Sequence, residues 1–273
     1  MLGKLIKNEI KHSARYTMAI YGAAFAAMAV TGISLLMDSG WLGAISCGVL
    51  YVVGFAAVVV TLVSVIKNFY DTLYSRQGYL TLTLPVKGSS LLLSKIIVSF
   101  IWIVASMIVM GLTLFMIFIY GKERSGGTLE SMWEIVSVSG ILDMLPSKLA
   151  IVKFLVVVVI LVVATILTYV GYVFFTVTLA NTRLLQSHPK FYGGVIFFGI
   201  MTIVNAVGNK LTEVLPLTIN VSSENVYFSF TQMGYESDVL FSYGIGGTLF
   251  SGIVAIGLLF ATGYIIENKV NIK

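Results

Sequence analysis

Six long apolar runs constrain this chain more than any other feature of its sequence. They cover approximately residues 17–37, 41–66, 91–120, 151–179, 192–208 and 241–266. A helix needs about 20 apolar residues to cross a hydrocarbon core of about 30 Å. The chain is also only 11% charged, whereas soluble domains usually carry about 25% charged residues. The sequence therefore predicts one all-α integral membrane domain over residues 1–273, with six transmembrane helices.

The distribution of charge predicts which side of the membrane each connection faces. Residues 1–16, 67–95, 180–190 and 267–273 hold 12 of the 17 Lys and Arg residues but only 3 of the 12 Asp and Glu residues. Basic connections are retained in the cytoplasm. This split predicts a multi-pass protein of the plasma membrane with both termini in the cytoplasm.

The start of the chain is predicted to form an amphipathic helix over residues 1–16 that lies in the cytoplasmic membrane interface. Leu5, Ile6 and Ile10 lie broadly opposite a basic stripe on a helical wheel. The stripe consists of Lys4, Lys7, Lys11 and Arg15. Basic residues attract anionic lipid headgroups while apolar residues enter the acyl boundary. A simple basic anchor that only sets the topology is the alternative interpretation.

Three charged residues fall close to apolar surfaces. Glu9 lies on the apolar side of the predicted N-terminal helix; an exposed carboxylate on a rotated helix is expected there, and a carboxylate paired with a cation is the alternative. Lys95 and Lys153 lie near the ends of apolar runs. Long basic side chains at such positions extend towards the headgroups, and we expect this for both.

The sequence contains no motif for nucleotide binding, metal binding or hydrolysis. No G-x-x-x-x-G-K-[ST] segment occurs, the two histidines are His12 and His188, and the single cysteine is Cys47. The chain is therefore expected not to be an enzyme and to hold no cofactor. An ion-coupled carrier is also disfavoured, because such carriers need ionisable groups at mid-membrane depth. Asn205 and several threonines are the strongly polar candidates in the spans, and a polar residue in a span more often contacts another helix.

The outer connections and the last span carry further patterns. The long connections 121–150 and 209–240 contain aromatic and apolar residues and are predicted to fold into a cap. Alternation within 217–234 predicts extended structure there. Gly247, Ser251 and Ala255 recur every four residues, which favours close helix packing, either within one chain or between two copies.

The cytoplasmic connection 67–90 is too polar to span and too apolar to be a mere linker. A short helix is predicted from about residue 68 to 76, with Gly78 beyond its C-terminal end and Pro85 before the third span. Phe69, Leu73 and Tyr74 are predicted to present an apolar face to a partner. Asp71 and Arg76 flank that face.

This connection resembles the first cytoplasmic loop of ABC-2 type (type V-like) permeases. The resemblance rests on Gly78-Tyr79-Leu80, Leu84-Pro85 and Leu92-Leu93-Ser94-Lys95, together with the six-span layout. The chain is similar to small bacterial peptide-exporter permeases such as the phenol-soluble modulin exporter family, although Gln77 stands where those proteins usually have Glu. The resemblance implies that the residues coupling to an ATPase are Phe69, Tyr70, Asp71, Leu73, Tyr74, Arg76, Gln77 and Gly78.

The resemblance also implies a function and partners. It implies a bacterial permease subunit that pairs with a second copy as a homodimer and with two copies of a separate ABC ATPase subunit. The ATPase subunit would bind ATP and Mg²⁺, and the substrate would be a peptide or another amphipathic molecule. Membrane lipids are also expected as partners. Nucleic acid is not expected as a partner. A non-transporting sensor or assembly subunit and a drug or lipid exporter are the alternatives.

Overall fold

The computed structural model describes residues 2–37, 40–75, 88–125, 148–182, 185, 188–222, 226–230 and 239–268. These residues form helices α1 (Leu2–Leu36), α2 (Gly40–Tyr74), α3 (Gly88–Ser125), α4 (Lys148–Ala180), α5 (Pro189–Val214) and α6 (Gly246–Asn268). Three strands lie between α5 and α6: β1 (Thr218–Ser222), β2 (Val226–Ser229) and β3 (Val239–Gly244).

The structure has a helix at each of the six predicted spans, but the predicted start of the sixth span is wrong, because residues 241–244 belong to β3 and α6 begins at Gly246. Within the described ranges, six helices are long and apolar enough to cross a bilayer, so the fold is that of a multi-pass membrane protein. The fifth helix, predicted from the shortest run, extends over 26 residues. It continues to Val214 and so includes the first residues of the predicted outer connection 209–240.

The helical contacts divide the chain into two compact units. Unit 1 comprises Met1–Met132 with Ile272–Lys273 and contains α1, α2 and α3. Unit 2 comprises Trp133–Asn271 and contains α4, α5, α6 and the strands. Within each unit, every helix packs against both of the others.

Unit 1 is organised around one face of α2. Buried residues recur on this helix every three or four positions, the spacing of one helical face: Gly43, Ser46, Leu50, Gly54, Ala57, Thr61, Val65, Phe69, Thr72 and Leu73. A Cβ atom on Gly43 would overlap the ring of Tyr120, and one on Gly54 would overlap the side chain of Thr113. Both glycines therefore allow α3 to approach α2 closely.

Unit 2 also depends on small residues at its helix contacts. A Cβ atom on Gly247 of α6 would lie 3.1 Å from the carbonyl oxygen of Gly208 on α5. A Cβ atom on Gly171 of α4 would lie 3.1 Å from the carbonyl oxygen of Ala255 on α6. The small residues predicted to favour close packing thus make contacts within a single chain.

The strands form an antiparallel sheet in the order β2-β1-β3. Ile219 at the centre pairs with Phe228 on one side and Tyr243 on the other. The predicted extended structure in 217–234 is confirmed for its described strand residues. The predicted cap residues 126–147 lie outside the described part of the chain.

Two predicted helix boundaries are wrong for the same reason. No separate interface helix covers residues 1–16, because α1 runs without a break from Leu2 to Leu36. No separate short helix begins at residue 68, because α2 continues through it to Tyr74. An apolar run marks the residues that suit the bilayer, but a helix continues until a breaker or loss of packing ends it.

Candidate functional site

A buried ion pair lies at one end of the three helices of unit 1. The Lys95 ammonium of α3 donates to the Glu9 carboxylate of α1 over 2.7 Å. The Lys95 side chain is 2% exposed and that of Glu9 is 11% exposed. Lys95 also donates to the hydroxyl of Thr72 on α2. A single ammonium group therefore links all three helices.

A second set of hydrogen bonds completes the coordination of Glu9. The side-chain amide of Asn68 on α2 donates to the other Glu9 carboxylate oxygen over 2.9 Å. The Asn68 amide oxygen lies 2.9 Å from Nδ1 of His12 on α1. Both carboxylate oxygens thus have partners, as a buried charge requires. We call Glu9, His12, Asn68, Thr72 and Lys95 the charged cluster.

Polar contacts continue along the same helices beyond the charged cluster. The Trp102 indole donates to the Ser13 hydroxyl over 2.8 Å, and the Tyr21 hydroxyl donates to the Trp102 carbonyl over 3.1 Å. Ser13, Trp102 and Asn68 line a small polar cavity of about 10 Å³. This volume suits about one water molecule.

The charged cluster overturns two sequence predictions. Glu9 is paired and buried rather than exposed, and Lys95 points into the protein rather than towards the headgroups. The physical reason is the same for both residues, because each neutralises the other in a site that neither charge could occupy alone. Glu9 on an apolar helix face and Lys95 inside an apolar run were the sequence signals for this pair.

The predicted coupling residues lie in two different environments. Phe69 and Leu73 are each 1% exposed and pack inside unit 1, so the prediction that they present an apolar face to a partner is wrong. Tyr70, Asp71 and Tyr74 are half-buried at the end of α2. The remaining predicted coupling residues, Arg76, Gln77 and Gly78, lie outside the described part of the chain.

The predicted interface residues keep part of their expected arrangement. Lys4, Lys7 and Lys11 are exposed on α1, as a lipid-facing basic stripe requires. The side chain of Arg15 lies outside the described part of the structure. Lys153 of α4 is also exposed, and the direction of its side chain relative to the headgroups stays a prediction.

A polar crevice of about 620 Å³ lies entirely within unit 2, between α5, α6 and the sheet. Its polar lining includes Asn205, Asn209, Thr212, Tyr243, Thr248 and Ser251. Binding pockets for small molecules commonly have volumes of about 300–1,000 Å³. Sequence reasoning identified Asn205 as a polar residue in a span but did not find the crevice, because its lining comes from two helices and a sheet.

Neither site carries the groups of a metal centre. Among the described residues, no cluster of three or more His, Cys, Asp and Glu side chains could hold a metal ion. Comparisons with protein-family models, with curated proteins and with solved structures found no match for this chain.

Proposed function

We propose that this chain is the transmembrane permease subunit of an ATP-driven ABC exporter in a bacterial plasma membrane. Two copies form the translocation pathway and bind two copies of a separate ATPase subunit, which holds ATP and Mg²⁺. The substrate is a peptide or another amphipathic molecule. The permease itself contributes membrane helices and a contact for the ATPase, and no catalytic residue.

The observation that carries this proposal is the accessible end of α2 next to the charged cluster. Tyr70, Asp71 and Tyr74 remain half-exposed there. Asn68 and Thr72, on the same turns, belong to the charged cluster and contact Glu9 and Lys95. A partner that pushes on the exposed side of α2 would therefore act on α1 and α3 as well. This arrangement suits the transfer of a movement from a cytoplasmic ATPase to the membrane helices.

The coupling contact is tested by replacing Tyr70 and Tyr74 together with alanine. We expect ATP-driven export by the permease together with the proposed ABC ATPase subunit to fall by tenfold or more. A fully buried aromatic contact contributes about 1.5–3 kcal/mol, and about 1.4 kcal/mol changes an affinity tenfold. Export and ATP hydrolysis are measured in vesicles that contain both proteins.

Tyr51 supplies the matched control for this experiment. It is also an exposed tyrosine of α2, 52% exposed, but it lies in the apolar part of the helix. Tyr51→Ala should leave export and ATP hydrolysis unchanged. Export that survives the Tyr70/Tyr74 double substitution would show that the ATPase binds elsewhere. The absence of any encoded ABC ATPase would favour the sensor or assembly subunit instead.

The proposed orientation predicts that the C-terminus is protected in intact cells. In a Cys47→Ala background, a membrane-impermeant thiol reagent should fail to label Lys273→Cys in intact cells and should label it after the membrane is opened. The basis is the excess of basic residues in the connections assigned to the cytoplasm. Equal labelling in intact and opened cells would contradict a cytoplasmic C-terminus.

A further inference from the structure

The polar crevice of unit 2 presents two amides that form no hydrogen bond with another described residue. Asn205 and Asn209 lie four residues apart, on the same face of α5, and both side chains are exposed. Neither amide has a hydrogen-bond partner among the residues that the structure describes. Each amide can donate two hydrogen bonds and accept two. This part of the crevice therefore has a large unused hydrogen-bonding capacity.

The position of Asn205 makes contact with lipid unfavourable. The span on α5 covers Phe191–Val214, and Asn205 lies 14 residues from its first residue and 9 residues from its last. At about 1.5 Å per residue these separations are about 21 Å and 14 Å, so Asn205 lies inside the candidate span, between one and two and a half turns before the exposed Lys210–Glu213 pair. Unsatisfied polar groups are tolerated at such depth where they are covered by protein or line a water-filled cavity.

The lining of the crevice is polar but nearly neutral. Its carboxylate, Glu213, accepts a hydrogen bond from the Lys210 ammonium over 2.9 Å. The remaining polar groups are amides and hydroxyls, and one of them, the Tyr243 hydroxyl, lies 3.0 Å from that of Thr248. Such a lining suits uncharged donors and acceptors better than a free cation or anion.

We propose that the polar crevice is a water-filled binding site for an uncharged ligand rich in amide or hydroxyl groups. A peptide backbone and a polyhydroxylated molecule share this chemistry. Asn205 and Asn209 bind the ligand through their amides, and Thr248 and Ser251 contact it from α6. The inference extends the proposed export function by locating a substrate site, but binding at this site requires neither the ATPase nor transport.

Water access is tested with a single introduced cysteine, because Cys47 is the native one. Asn205→Cys in a Cys47→Ala background is treated with hydrophilic methanethiosulfonate reagents in open membrane sheets that expose both membrane faces. We expect modification at least about tenfold faster than at Ile203→Cys. A positively charged and a negatively charged reagent should modify the Asn205→Cys thiol at rates that differ by less than about tenfold. A charged cleft would produce a difference of about tenfold or more.

Ile203 is the matched control because it lies on the same helix, two residues from Asn205, and does not line the crevice. Its side chain is 65% exposed on the opposite side of α5, where lipid excludes hydrophilic reagents. Equal modification rates at the two positions would overturn the proposal. This result would leave the export function standing, since the labelling involves no ATPase.

Ligand binding is tested by protection of the Asn205→Cys thiol. The two probes are acetyl-trialanine amide, for a peptide backbone, and maltotriose, for a polyhydroxylated molecule. A probe at twice its Kd should slow modification about threefold, in a saturable manner. The probe that protects the thiol shows whether the site binds a peptide backbone or a polyhydroxylated molecule. A thiol that is modified rapidly but protected by neither probe would overturn the assignment of a binding site.

Discussion

Replacing Lys95 by methionine is expected to lower the free energy of unfolding by about 3–5 kcal/mol. The substitution leaves the Glu9 carboxylate 11% exposed without its ammonium partner. Removing one member of a buried pair costs more than the pair itself contributes, because the remaining charge stays in a poorly solvating site. Unfolding of the purified protein in mixed detergent micelles measures the change.

A double substitution distinguishes loss of the ion pair from loss of packing. Glu9→Gln with Lys95→Met removes both charges and retains an amide that can contact Asn68, so most of the stability should return. Lys210→Met at the exposed pair with Glu213 should leave the unfolding transition unchanged. A single Lys95→Met variant as stable as the unmodified protein would contradict a buried charge at Glu9.

Replacing Leu73 by alanine is expected to destabilise unit 1 by about 2–5 kcal/mol. Leu73 is 1% exposed, so truncation leaves a cavity among side chains that cannot fully close around it. Tyr70→Ala, at a half-buried position three residues earlier, should change stability much less. The same micelle unfolding measurement, with the protein yield from membranes, compares the two variants.

The Leu73 variant also decides how a loss of export should be interpreted. If Leu73→Ala reduces both stability and export, its effect arises from folding rather than from a lost ATPase contact. An unfolding transition equal to that of the unmodified protein would show that Leu73 is not in the core. Tyr70 and Tyr74 therefore provide the more specific test of coupling.

Sequence patterns predicted the helices well because the bilayer requirement is strong and local. Each apolar run needs only its own residues to indicate a span, and the short fifth run was sufficient to predict α5. The ends of α1 and α2 were harder to predict. Their polar turns remain helical because they pack against other helices, and that packing depends on residues distant in sequence.

The two sites show why side-chain environments were predicted less well. Glu9 and Lys95 are separated by 86 positions, and no periodic pattern in a single sequence relates residues so far apart. Phe69 and Leu73 look the same in sequence whether they face a partner or the core of unit 1. Asn205 was recognised as polar, but its crevice depends on α6 and the sheet.

The charged cluster also sets an order of events during synthesis of the protein. Glu9 leaves the ribosome before Lys95, and 86 residues separate them. At a synthesis rate of about 5–20 residues per second, Lys95 is added about 4–17 s after Glu9. Until then the carboxylate is favoured in water, so the N-terminal turns of α1 remain outside the hydrocarbon core. The three helices of unit 1 can therefore pack around the ion pair only after the first part of α3 has left the ribosome.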